Sequence, residues 1–140
     1  MSGLAYKCGF CSYTVTSKSK RDVVTKLALH YIKEHFDEAI DFIERSQYRR
    51  KYIKRKVSDI LSQHRRKYRD VFDKITDANS LKDMIEEMFR IKDSTNDEEL
   101  KMILIKTIIK VFTYVVRLTM KEVSKMSDTN KFTFIAKRQL

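Results

Sequence analysis

The chain has 140 residues, with 30 Lys and Arg against 19 Asp and Glu for a formal charge of +11, and its 42% hydrophobic content is enough for one compact core. That content excludes a disordered chain, and two cysteines are too few for a disulfide-stapled secreted module. Two Gly and no Pro leave few tight hairpins, so the expected class is mainly α.

The opening MSGLAYKCGFCSYTV has no signal-like apolar run, which predicts an intracellular, reducing compartment and leaves both cysteines as thiols or metal ligands. LAYKCGF and CSYTV read as two short strands around Cys8-Gly9-Phe10-Cys11. A helix begins near Ser17 or Ser19, whose hydroxyls can cap free N–H groups. Its apolar residues run through Val23, Val24, Leu27, Ile32, Phe36, Ile40 and Ile43, and the pattern permits a break near Ser46. From Gln47 to Ile75 one stripe of Ile53, Val57, Ile60, Leu61, His64, Tyr68, Val71, Phe72 and Ile75 predicts a single helix about 45 Å long.

Asn79-Ser80 before Asp83 reads as the capped start of a helix carrying Leu81, Met84, Ile85, Met88 and Phe89. DSTNDEE is a loop and the acidic first turn of a further helix, from about Asp97 to Met126, that is apolar over most of its circumference. Lys106, Lys110, Thr113, Arg117, Lys121 and Ser124 give that helix one wet edge, which suits the middle of a bundle and not a membrane span. The tail KFTFIAKRQL reads equally as strand or helix.

Cys8-x2-Cys11 and His30-x4-His35 form the sharpest constellation. A tight turn with two thiolates, followed by two imidazoles on successive turns of one helix, can surround Zn²⁺ tetrahedrally, leaving no open position for catalysis. Tyr6 stands two before the first Cys, and Leu27 stands three before the first His. From Tyr6 to His35 the chain thus resembles the two-cysteine, two-histidine zinc finger, with Val15 where the family has a core aromatic, although 18 residues separate Cys11 from His30 where it usually has about 12. The resemblance implies a zinc-stabilised ββα-like finger over residues 1–44, fused to a basic helical bundle over 45–140. In the family, base-reading side chains precede the first His; the matching positions are Val23, Thr25, Lys26 and Leu29, none of them Arg, Asn or Gln. That face is better suited to docking on the following helices. Lys18, Lys20 and Arg21 remain available for phosphates from the loop.

The charge is concentrated. Residues 1–44 sum to zero, 45–69 hold eleven basic side chains and one acidic, 70–100 sum to −6 and 101–140 to +7. Within the basic segment Ser46-Gln-Tyr-Arg-Arg-Lys-Tyr52 recurs as Ser62-Gln-His-Arg-Arg-Lys-Tyr68; on one continuous helix the two copies face about 160° apart, so they are not equivalent units. The outward face gathers Tyr48, Arg49, Arg50, Lys51, Tyr52, Lys54, Arg55 and Lys56, then Arg65, Arg66, Lys67 and Arg69. Such a face attracts phosphates, and its tyrosines can stack on unpaired bases or donate to phosphate. The bland counterpart is a solvated helix that neutralises the acidic 70–100 segment. His64, alone on the apolar stripe, reads as a core histidine with one hydrogen bond.

No phosphate-cradling glycine loop or distinctive carboxylate pair is present, so an enzyme is not expected. The expected function is nucleic-acid binding, DNA ahead of RNA. Size, the single finger and the Lys/Ile-rich composition resemble small single-finger proteins of archaea and their viruses, which implies transcriptional regulation. The alternatives are a ribonucleoprotein component and an interaction or inhibitor module docking on an acidic protein partner.

Overall fold

A computed structural model describes residues 4–124. The fold is mainly helical, with a two-stranded sheet preceding the helices. Strands β1 (Leu4–Lys7) and β2 (Thr14–Ser17) are antiparallel, pairing Leu4 with Ser17 and Lys7 with Thr14, so the Cys8–Cys11 turn lies at the closed end of the hairpin. Helix α1 (Lys20–Glu34) starts at Ser19, whose hydroxyl accepts the Asp22 N–H at 3.3 Å. Then follow α2 (Phe36–Glu44), α3 (Gln47–Ser62), α4 (Arg65–Thr76), α5 (Leu81–Ser94) and α6 (Glu98–Ser124). Ser46 and Ser80 cap α3 and α5 in the same way as Ser19 caps α1. The end of the last predicted helix and the tail KFTFIAKRQL lie outside the described residues.

Two expected helices are broken, the first once and the second twice, since inside α4 (Arg65–Thr76) Tyr68 has a non-helical φ of −124° and ψ of 35°. The segment from Ser19 to Ile43 is interrupted at His35, whose φ of −135° and ψ of 33° are not helical. The reason is the spacing of its histidines: residues five apart on an α-helix point about 140° apart, so His30 and His35 can converge only if the helix stops between them. The Gln47–Ile75 helix is likewise not continuous. It bends at Gln63-His64, where the His64 N–H donates to the Leu61 carbonyl at 3.0 Å in a tightened turn. Without Gly or Pro at the bend, the sequence carries no breaker signal. The bend lets α3 and α4 pack on each other and α4 on α5, burying both halves of the stripe. His64 is therefore an exposed helix-start residue and not a core histidine, and its side chain makes no cap bond.

The described residues divide into two compact units: 4–38 together with 112–124, and Ala39–Val111. The part of α6 from Phe112 onward belongs to the same unit as the hairpin and α1. In the first unit Val23, Val24, Leu27, Ala28 and Tyr31 of α1 are buried, along with Phe112, Val115 and Val116 of α6. Phe36 and Phe112 lie with ring centroids 5.9 Å apart. Fully burying an aliphatic side chain contributes about 1.5–3 kcal/mol, so this core is substantial without any metal. In the second unit Ile53, Val57, Leu61, Phe72, Ile75, Leu81, Met84, Ile85, Met88 and Leu104 are buried. On α6, Lys106, Lys110 and Arg117 are exposed as expected, whereas Thr113 is buried. No helix among the described residues is long and apolar enough to cross a membrane.

Candidate metal centre and basic face

The hairpin turn and the end of α1 bring Cys8, Cys11, His30 and His35 together, with ligand atoms all within 4.8 Å of one another. Metal–ligand bonds of about 2.0–2.3 Å imply tetrahedral edges of about 3.3–3.8 Å, a small contraction from this arrangement. The turn is held by the Cys8 N–H donating to the Tyr13 carbonyl at 2.7 Å. The Phe10 N–H points at the Cys8 sulfur at 3.3 Å and the Tyr13 N–H at the Cys11 sulfur at 3.4 Å. Such N–H···S contacts favour thiolates.

The two histidines are presented differently. His30 sits within α1, its Nε2 3.3 Å from the Cys11 sulfur, and the Tyr13 ring stacks on it at 4.1 Å. His35 sits just past the helix, where its Nδ1 is 2.7 Å from Glu38 Oε1. Its other nitrogen, Nε2, is buried with no hydrogen-bond partner among the described residues. An orphaned buried nitrogen is costly unless something binds it, and this one faces two sulfurs and a second imidazole. The Glu38 carboxylate fixes the ring so that Nε2 carries the lone pair, the arrangement common around metal-ligating histidines. Glu38 escaped the sequence reading, although its place three residues after His35 is the signal that could have found it.

Electrostatics distinguish the two thiols. Burial pushes Cys8 up to about 11, with the Cys11 sulfur adding to the rise. Burial also works to raise Cys11, but the Tyr13 N–H and the nearby His30, His35 and Cys8 side chains outweigh it and lower that thiol to about 6. For His35 burial acts downward, and the Glu38 carboxylate with the Cys11 sulfur raises it on balance. A cation at the centre of the four ligands would favour both thiolates and the neutral form of both rings.

The residues expected to contact nucleic acid fall in both units. Lys18, Lys20 and Arg21 are exposed at the start of α1. Of Val23, Thr25, Lys26 and Leu29, Val23 is fully buried and Lys26 pairs with Asp22 at 3.1 Å. In the basic segment several cations serve the fold. Arg49 donates to the Phe42 carbonyl at 2.9 Å and stacks 3.9 Å over the Phe42 ring, and Arg50 donates to the Glu44 carbonyl. The two guanidiniums thereby satisfy carbonyls at the end of α2. Arg65 pairs with Asp73, Arg69 lies 3.8 Å from the same carboxylate, and Lys67 meets Glu99 at 2.9 Å. Part of the acidic 70–100 segment thus neutralises α4. Tyr68 is buried and donates to Asp97 at 2.9 Å.

What remains outward is narrower. Lys51, Arg55 and Arg66 are exposed and Lys54 is half-buried; none pairs with a carboxylate among the described residues. Tyr48 is 63% exposed and lies near-parallel to Tyr52, with centroids 6.1 Å apart, while Lys56 sits 5.4 Å from the Tyr52 ring. No protein family, no curated protein and no solved structure matches this chain.

Proposed function

We propose that the chain is a nucleic-acid-binding protein, DNA ahead of RNA, in which one structural Zn²⁺ completes the finger and α3 carries the phosphate grip. Two thiolates and two imidazoles closing on one point are the donor set that Zn²⁺ prefers, and four protein ligands leave no open coordination position. The metal's contribution is therefore to folding. The observation that carries the nucleic-acid reading is the cation row on α3: Lys51 and Arg55 lie beside Tyr48 with no carboxylate engaged among the described residues, while the neighbouring Arg65 and Lys67 are paired at the surface with Asp73 and Glu99.

The finger supports this without reading bases, since Val23 is buried and Lys26 is paired. With Lys51, Lys54, Arg55 and Arg66 on phosphates, log K should fall against log salt with a slope of about −3 to −4 on duplex DNA. The test is a salt series with metal-loaded protein, repeated after Lys51, Arg55 and Arg66 are changed to Glu. Binding absent at low salt on duplex and single strands alike, insensitive to salt, or unchanged by the reversal would overturn the proposal.

A further inference from the structure

We infer that the Tyr48–Tyr52 pair is a base-stacking platform, so that the ligand of α3 is a stretch of nucleic acid with unpaired bases and not a closed duplex; this rests on the nucleic-acid reading above. Residues four apart on a helix share a face, and the two rings lie near-parallel, 16° between planes, on the side of α3 opposite the buried Ile53, Val57 and Leu61. The folded chain gains little from Tyr48 there. At 63% exposed it is the most open of the large apolar side chains among the described residues, and its one described ring contact is Tyr52.

Charge surrounds the pair on the same face. Counting 100° per residue, Lys51 and Arg55 lie within about 60° of Tyr48 around the helix, and Lys56 lies beside Tyr52 with its ammonium 5.4 Å from the ring. Asp59, the one acid in α3, lies on this side a turn beyond Arg55, so the cationic stretch spans the first three turns of the helix. An aromatic face flanked by cations matches what a single strand offers: a base to stack and phosphates on either side of it. In a closed duplex the base faces are covered by their neighbours and only phosphates and base edges are available, leaving an exposed tyrosine pair without use.

The test measures binding of the full, metal-loaded chain at one low salt concentration to labelled oligothymidine, oligouridine and a blunt duplex of equal phosphate count. Single strands should bind more tightly than the duplex. Tyr48→Ala should weaken them about tenfold while changing the duplex less than twofold, and Tyr48→Phe, which keeps the ring, should retain the affinity. The ranking of the two homopolymers tells whether the source of unpaired bases is DNA or RNA; either ranking supports the platform. Duplex binding equal to or tighter than single-strand binding, or a Tyr48→Ala effect equal on all three probes, would overturn the platform while leaving the phosphate grip standing. No salt-sensitive binding to any probe would overturn both.

Discussion

The Tyr31 hydroxyl lies 3.0 Å from Oγ1 of Thr119, 88 residues away, and joins α1 to the last helix within one compact unit. Thr119 gives its own proton to the Val116 carbonyl at 2.7 Å, so Tyr31 is the donor to Thr119. The same Tyr31 oxygen accepts the Gly9 N–H at 3.2 Å, from the turn between the two cysteines. A methyl group on Gly9 would stand 2.9 Å from that oxygen. Gly9→Ala should therefore cost about 1–3 kcal/mol in urea unfolding, and Tyr31→Phe about 1 kcal/mol. In the Tyr31→Phe background Gly9→Ala should cost measurably less, because the obstructing atom is gone. Additive losses would show that the crowding is not there.

Native mass spectrometry should find one Zn²⁺ per chain, lost in Cys8→Ser and in His35→Ala. Chelation should lower the melting temperature by at least about 10 °C, since structural zinc sites contribute folding energy of many kcal/mol. Helix content should persist in part, because the buried apolar residues of α1 and α6 do not depend on the metal.

Glu38→Ala should weaken metal binding about tenfold in chelator competition by releasing the His35 ring from its 2.7 Å contact. Substituted Co²⁺ should keep its tetrahedral absorption in this variant, because all four ligands remain. A change of coordination geometry would place Glu38 in the ligand sphere and not behind it.

The arginines of the basic segment should separate into two kinds. Arg49→Ala and Arg50→Ala should each destabilise by about 1–2 kcal/mol, since each leaves an α2 carbonyl without its charged donor. Arg55→Ala should shift stability by less than about 0.5 kcal/mol and act on nucleic-acid affinity. Urea titrations beside binding titrations on the same three variants check this.

Asp97 starts α6, accepting the Leu100 N–H at 3.1 Å and the Tyr68 hydroxyl at 2.9 Å. The Leu100 N–H first, and then the Tyr68 hydroxyl, hold its carboxyl below the ordinary 3.8. A depressed folded value means that its stabilisation is fully present above pH 3.8 and is lost as pH falls through the folded value. Asp97→Asn should flatten that acid limb of a stability-against-pH curve, and an unchanged limb would assign the loss to other carboxylates.

Much of this was readable along the chain. The hydroxyl caps at Ser19, Ser46 and Ser80 stand where the sequence places helix starts, since a cap needs only its own residue and the next three. The convergence of the four Cys and His side chains was readable because Cys-x2-Cys and His-x4-His are local spacings. The course of α1 was not, because a stripe of apolar residues passes unchanged through a break at His35. The same blindness hid the bend at His64, where neither Gly nor Pro marks the turn and only the packing of α3 on α4 selects it.

The sequence by itself determined the class of fold, the four Cys and His side chains that come together and the segment that holds the charge, because periodicity, spacing and net charge are properties of neighbouring residues. Only the tertiary structure decided which cations are committed. Arg49 and Arg50 close the end of α2, and Arg65, Lys67 and Arg69 meet acids up to 32 residues distant, leaving Lys51, Arg55 and Arg66 outward. A charge's partner is set by distance in space, and that distance exists only once the helices have bent and packed.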